Sequence, residues 1–318
     1  MVNPQSELYQ KHPDWIITQP KRTPILGRHQ EILDLTRPEV QAFEWQVIDK
    51  TLRPNPDISY VKWDCNRYIT QPGSGYLQPA EQSHLWIDYN WALYRLMERF
   101  SKEFPNVMAM LCAGGSGRVD YGALPYFHSF WPSDNTDPLG RIKIQWGFSH
   151  FFPASTISAH VTRMGKRHLK LAIDVALSGA FGIDLALDKA TAEERVQIAD
   201  AVKLYKASIR PLVMQGELYR LVSPYEHPMA SLSYVSTDKN DAVVYLYQIQ
   251  DGSVPQVILG GLDARKNYRV EEVGLPKGST SRFPGHGKIF SGAELMSTGI
   301  ANPLNAQFES AILLLKTQ

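Results

Sequence analysis

The 318-residue chain is 43% hydrophobic and 20% charged, the composition of a globular protein with a sizeable core. With 33 basic against 32 acidic residues it has no basic stripe or acidic tail, so neither nucleic acid nor an anionic membrane is an expected partner; no apolar run is long enough to span a bilayer. Its two cysteines, Cys65 and Cys112, exclude a disulfide framework.

In chain order, the opening MVNPQSELYQKHPDW shows neither a leader pattern nor a regular period. It reads as a loop that follows something, and Ile17–Gln30 is equally aperiodic. The first expected helix runs from Pro38 to Leu52. Thr36 and Glu39 form a capping-box pattern before it, and Val40, Phe43, Val47, Ile48 and Leu52 supply an apolar face. A strand, Ile58–Asp64, follows, then a Gly/Pro-rich loop, Gln71–Pro79. The next helix spans Ser83–Phe104 with the stripe Tyr89, Leu93, Leu96, Met97 and Phe100. Further strands are expected at Asn106–Cys112, Phe127–Trp131, Ile144–Phe148, weakly Phe151–Ile157, and Gly179–Ile183, with a helix over Ala192–Ile209 opened by the capping box Thr191/Glu194. Strands alternating with helices imply a parallel sheet, as a barrel or an open sheet. After Tyr225 the period becomes two. Leu232–Ser236, Ala242–Gln250, Gln256–Leu259, Tyr268–Val273 and Ala311–Lys316 read as a small antiparallel sandwich. The expected domains are therefore 1–225 and 226–318.

Chemistry concentrates at strand ends. In YVKWDCNR (Tyr60–Arg67) the strand period puts Tyr60, Lys62 and Asp64 on one face and Val61 and Trp63 on the other. If Val61 and Trp63 pack on helices, Lys62 and Asp64 point together into the fold. An ammonium so placed favours an ionised carboxylate, which suits a nucleophile; a Lys–Asp pair that merely caps a strand satisfies the same pattern. The second stretch, FWPSDNTDPLGR (Phe130–Arg141), holds two acids. Asp137 stands before Pro138 and reads as a helix N-cap. Asp134 lies just past the strand that carries Trp131, where an aromatic neighbour and partial burial favour a protonated carboxyl, the state of a general acid. Two carboxyls held in opposite states are the arrangement of glycoside hydrolases. The nine histidines are scattered, without HExxH or paired cysteines, and CAGGSGR (Cys112–Arg118) lacks a P-loop lysine, so no metal or cofactor is expected. His150 and His160 read as core or rim residues.

KWDCNR, CAGGSGR, WPSDNTD, IQWG (Ile144–Gly147) and SGAFGIDLAL (Ser178–Leu187), with the early NPQSELYQKHPDW and GRHQEILDLTRPEV, together resemble the α-galactosidases of glycoside hydrolase family 36. The resemblance runs from Met1 through the C-terminal sandwich. It implies a (β/α)8 TIM barrel followed by an antiparallel β-sandwich, with Asp64 as nucleophile and Asp134 as acid/base. It also implies that Arg28, Lys62, Asn66, Cys112, Gly114 and Trp131 line a galactose pocket. The implied reaction is retaining hydrolysis of terminal α-galactosyl residues from oligosaccharides such as melibiose and raffinose. Family members usually have methionine at the position of Cys65, and CSGGGGR where this chain has CAGGSGR, which bears on substrate preference. The family's N-terminal sandwich, its first barrel strands and a pair of adjacent aspartates have no counterpart here, and the strand candidates before Tyr225 fall short of a closed barrel. The chain thus reads as the C-terminal part of a longer enzyme. Two other readings stand beside hydrolysis: a non-catalytic galactoside- or partner-binding remnant, and a transglycosylase or α-N-acetylgalactosaminidase of the same family. A homo-oligomer is compatible with the sequence, as is a cytoplasmic or a periplasmic location.

Overall fold

A computed structural model describes all 318 residues, which fall into two compact units, Met1–Trp131 and Pro132–Gln318. The first unit opens with a short helix, α1 (Glu7–Lys11), whose first turn is capped by the Ser6 hydroxyl. Helix α2 (Pro38–Leu52) starts with proline at its first position, where the missing N–H costs nothing. The expected capping box does not form: the Thr36 hydroxyl donates instead to Asp34 Oδ1 at 2.6 Å, and Glu39 pairs with Arg37. A fully buried acid two residues upstream outcompetes the helix for that hydroxyl. The face of α2 also differs, since Trp45 is buried while Val47 is exposed.

Strand β1 (Tyr60–Asp64) leads through a loop to α3 (Leu85–Glu103), which buries Leu85, Tyr89, Ala92, Leu93, Leu96, Met97 and Phe100 along one stripe. Strands β2 (Met108–Cys112) and β3 (Ser129–Phe130) follow. The three strands form a parallel sheet in the order β1-β2-β3. Trp63 lies edge-on to Phe100 of α3 and to Phe127, with centroids 5.8 and 5.9 Å away. Burial of these rings fixes which face of β1 looks inward and which looks out.

In the second unit, α4 (Pro138–Phe148) replaces the strand expected at Ile144–Phe148. Alternating apolar residues mimic a strand there, but the start at Asp137–Pro138 propagates a helix, and Pro138, Arg141, Ile142, Gln145 and Trp146 are buried at helical spacing. Strand β4 (Ser158–Val161) lies just beyond the weak candidate at Phe151–Ile157, and pairs in parallel with β5 (Ala180–Ile183) across α5 (Leu169–Ala176). Helix α6 (Ala192–Leu204) carries the Thr191/Glu194 capping box, runs through a π turn (Tyr205–Ile209), and continues as α7 (Arg210–Gln215).

Eight strands complete the chain: β6 (Glu217–Val222), β7 (Met229–Val235), β8 (Asp241–Gln248), β9 (Gln256–Val257), β10 (Asn267–Val273), β11 (Ile289–Ser291), then, after α8 (Gly292–Ser297), β12 (Ile300–Ala301) and β13 (Ser310–Thr317). Six of them form an antiparallel sheet, β11-β10-β13-β8-β7-β6, while β12 and β9 pair separately. One face, with Tyr234, Tyr245, Tyr247, Ile312 and Leu314, packs in a core with residues of α5, α6 and α7. The other, with Val244, Leu246, Leu313 and Leu315, packs on Leu259, Leu295, Ile300 and Phe283. Helices of the segment that precedes this sheet cover it, so the compact unit that begins at Pro132 takes in both.

Four tyrosine hydroxyls from this core satisfy one short stretch of backbone. Tyr247 donates to Asp174 O, Tyr245 to Leu177 O, Tyr234 to Ser178 O and Tyr205 to Gly179 O, at 3.1, 2.8, 2.7 and 3.1 Å. These carbonyls belong to the last turn of α5 and the link to β5, where a helix leaves its acceptors unpaired. Burial pushes the Tyr245 and Tyr247 phenols well above their ordinary range, so both remain donors.

Candidate active site

The site in the first unit is built on strand register. Asp64, the last residue of β1, stands opposite Cys112, the last of β2. Cys65 N–H donates to Cys112 O at 3.1 Å and carries the pairing one residue further. The chain then turns through Gly114 and Gly115, with φ of +62° and +93°, a conformation that side chains with a Cβ resist. That turn brings the Gly114 N–H to Asn66 Oδ1, which accepts it. Register therefore places the Cys112 side chain beside that of Asp64. Burial pushes the thiol up and Asp64 adds to the rise, against the Gly115 N–H and the Lys62 charge. The thiol is thereby kept protonated.

Trp131 is buried with Met110 and Cys112, and its N–H continues the β2–β3 pairing to Leu111 O at 2.8 Å. Lys62 Nζ lies 5.4 Å from the centre of the Trp131 ring. The sequence pairs Lys62 with Asp64 directly; here the ammonium rests on the indole face, and Asp64 stands in register with Cys112. The alternation of β1 is as expected, but its Tyr60–Lys62–Asp64 face is exposed in this chain, not enclosed. The structure thus gathers Lys62, Asp64, Asn66, Cys112, Gly114 and Trp131 at the C-terminal ends of adjacent parallel strands. Arg28 lies at the exposed tip of the Gly27–Gln30 turn.

Asp134 lies in the second unit, on the segment that leads into α4. It is exposed, where the sequence suggests partial burial. Its loop is pinned on both sides. The Asn135 N–H donates to Ser133 Oγ and the Asp137 N–H to Asn135 Oδ1, each at 3.1 Å. Asp137 caps α4 through the Leu139 N–H at 3.4 Å and pairs with Arg167, the structural role its sequence context implies. Arg141, 2% exposed, donates to Ser133 O and Ser158 O at 3.4 and 2.6 Å, tying the loop to β4. Burial lowers its guanidinium to about 10.

Two arginines escaped the sequence reading. Arg67 stands inside KWDCNR, but its partners Ile25, Gln30 and Glu31 are 36 to 42 residues away. Arg141 reads as an ordinary helix residue, and only its burial shows that it anchors a loop. No cluster of three or more His, Cys, Asp or Glu side chains is placed to hold a metal ion.

Residues 1–216 match the Melibiase family model and residues 229–315 the glycosyl hydrolase family 36 C-terminal domain. The chain is 38% identical over 312 residues to the α-galactosidase AgaA of Geobacillus stearothermophilus, covering 95% of this chain and 41% of that protein. The crystal structure of the family 36 α-galactosidase AgaB from the same organism superposes with a TM-score of 0.91 at 37% identity, over 100% of this chain and 43% of that one. An AgaA variant in complex with raffinose superposes at 0.90 with 35% identity and the same coverage. The chain spans about two fifths of the length of these relatives. It belongs to glycoside hydrolase family 36, the melibiase family.

Proposed function

We propose that the protein to which this chain belongs is an α-galactosidase that removes terminal α-galactosyl groups from oligosaccharides with retention of configuration. One observation carries the reading: Asp64 ends a parallel strand in register with Cys112, beside Asn66, Gly114 and the Lys62–Trp131 pair. A carboxylate fixed at a strand end, with an aromatic face and polar donors around it, suits attack on a sugar. In the first step an Asp64 oxygen bonds to the anomeric carbon while the glycosidic C–O bond breaks, and Asp134 gives its proton to the leaving oxygen. In the second, water attacks the same carbon and passes a proton to Asp134. The ester bond to Asp64 breaks and galactose leaves.

Lys62, Asn66, Gly114, Cys112, Trp131 and Arg28 form the sugar pocket in this reading. Raffinose is the ligand of one AgaA variant, and substrates of that class, galactose in α-linkage on a short oligosaccharide, are proposed here. The proposed architecture of the whole protein is a (β/α)8 barrel, to which β1–β5 contribute five parallel strands, followed by the C-terminal sandwich. Active sites at the C-terminal ends of strands are the rule in that fold.

The test is hydrolysis of an aryl α-galactoside by this chain beside its Asp64→Asn variant. Turnover that disappears in the variant is expected. Equal turnover in both, or a chain that neither turns over nor binds 1-deoxygalactonojirimycin, the ligand of another AgaA variant, would overturn the reading.

A further inference from the structure

We propose that Arg67 is a positioning residue that holds Arg28 in place, locking the turn that carries it to the strand end that carries Asp64. The proposal rests on the α-galactoside reading only in taking Arg28 as a sugar ligand. The turn runs from Gly27 to Gln30 and is closed by reciprocal backbone bonds, Gly27 N–H to Gln30 O at 3.2 Å and Gln30 N–H to Gly27 O at 3.0 Å. Its central residues, Arg28 and His29, have φ of 53° and 60°. Two left-handed residues in succession define the turn that Asn-Gly adopts easily; an arginine and a histidine hold it only where the surroundings impose it.

The imposing group is the buried Arg67 side chain. Its guanidinium donates to Ile25 O before the turn and, at 3.1 Å, to Gln30 O after it. It also donates to Tyr68 O, which ties it to its own strand end. Thr70 Oγ1 and the Glu31 carboxylate, at 3.4 and 3.5 Å, complete its surroundings. Glu31 is 2% exposed; burial raises its carboxyl, and the Arg67 charge opposes the rise. The turn packs directly on this side chain: a Cβ on Gly27 would lie 2.6 Å from Arg67 Cδ and 2.7 Å from Nε. Arg67 is three residues beyond Asp64, so one strand end sets the positions of both the carboxylate and the turn. Removing its guanidinium should free Arg28 without touching any group that meets the sugar.

Two readouts test this. Trypsin cuts after Arg28 only when the turn opens, and cleavage after Lys102 in α3 serves as the internal reference. Arg67→Met should raise the Arg28/Lys102 cleavage ratio about tenfold or more, with Arg67→Lys intermediate. By calorimetry, Arg67→Met should weaken 1-deoxygalactonojirimycin binding about tenfold, yet change it less than about twofold when Arg28 is already alanine. An unchanged cleavage ratio would overturn the clamp. A loss undiminished in the Arg28→Ala background would show Arg67 acting independently of Arg28 and would equally overturn it. If Arg67→Met accelerates every cut through global unfolding, Gly27→Ala, which leaves Arg67 intact but crowds it, must shift the ratio for the proposal to stand. An Arg28→Ala variant that binds as well as the parent would refute Arg28 as a sugar ligand, while the cleavage ratio still judges the clamp.

Discussion

The tyrosine cluster of the second unit allows a worked prediction. Tyr245 and Leu177 are both wholly buried, and the Tyr245 hydroxyl is 2.8 Å from the Leu177 carbonyl. Tyr245→Phe keeps the ring and its packing and deletes one oxygen. The Leu177 carbonyl would then be left at the end of α5 with neither a donor nor water. A neutral hydrogen bond contributes about 1 kcal/mol, and an unpaired buried acceptor raises the loss to about 1–3 kcal/mol. At roughly 2 kcal/mol and about 2–4 °C per kcal/mol for a body of this size, the melting temperature should fall by about 4–8 °C. Calorimetric melting and urea unfolding of the two proteins measure it. Tyr219→Phe is the control, because the Tyr219 hydroxyl meets only the exposed Glu217 carboxylate, and its loss should stay within about 0.5 kcal/mol. A Tyr245→Phe protein that melts within about 1 °C of the parent, with the same urea dependence, would refute the claim that these hydroxyls hold the α5–β5 link.

Three further perturbations separate catalytic from structural acids. Asp134→Asn should spare aryl galactosides with good leaving groups and slow those with poor ones by about 10²–10⁴-fold; equal losses on both would remove Asp134 from the acid role. Asp137→Ala should lower stability by about 1 kcal/mol in urea titrations through loss of the α4 cap, so an unchanged midpoint would show that the cap contributes nothing. Glu194 has its carboxyl lowered from 4.5 to about 2, by the Arg163 hydrogen bond first and the Thr191 N–H second. A depressed carboxyl stabilises the fold fully above its unfolded value. That contribution should fade as pH falls from about 4.5 through about 2. Glu194→Gln should therefore flatten acid unfolding in that window, and identical acid-unfolding curves would count against it.

Where local chemistry decides structure, the sequence was readable. The α3 stripe, the Thr191/Glu194 cap, the Asp137–Pro138 start and the period-two strands β7, β8, β10 and β13 all follow from spacing alone. The structure departs from the local pattern where a competing neighbour took the cap or an earlier helix start ran on. Asp34 captures Thr36 before it can cap α2, and the helix begun at Asp137 overrides the alternating pattern that starts at Ile144. At the site, the facing of Lys62 and Asp64 was legible from strand period, but the partner of each was not. Cys112 comes opposite Asp64, and the Trp131 ring reaches Lys62, only through the parallel pairing of β1, β2 and β3. Parallel strands are joined by long crossovers, so their register is absent from any local window.

The sheet with two covered faces bears on how its backbone amides exchange with heavy water. Every residue of β8 from Ala242 to Gln248 and of β13 from Ser310 to Leu315 is buried, and each strand has paired neighbours on both sides. No partial opening short of losing both cores exposes these amides. Deuterium uptake at Val244, Tyr245 and Leu313 should therefore track the free energy of complete unfolding. Edge strand β11, held on one side only, should exchange orders of magnitude sooner. The central strands thus carry an internal gauge of global stability that can be read without any sugar present.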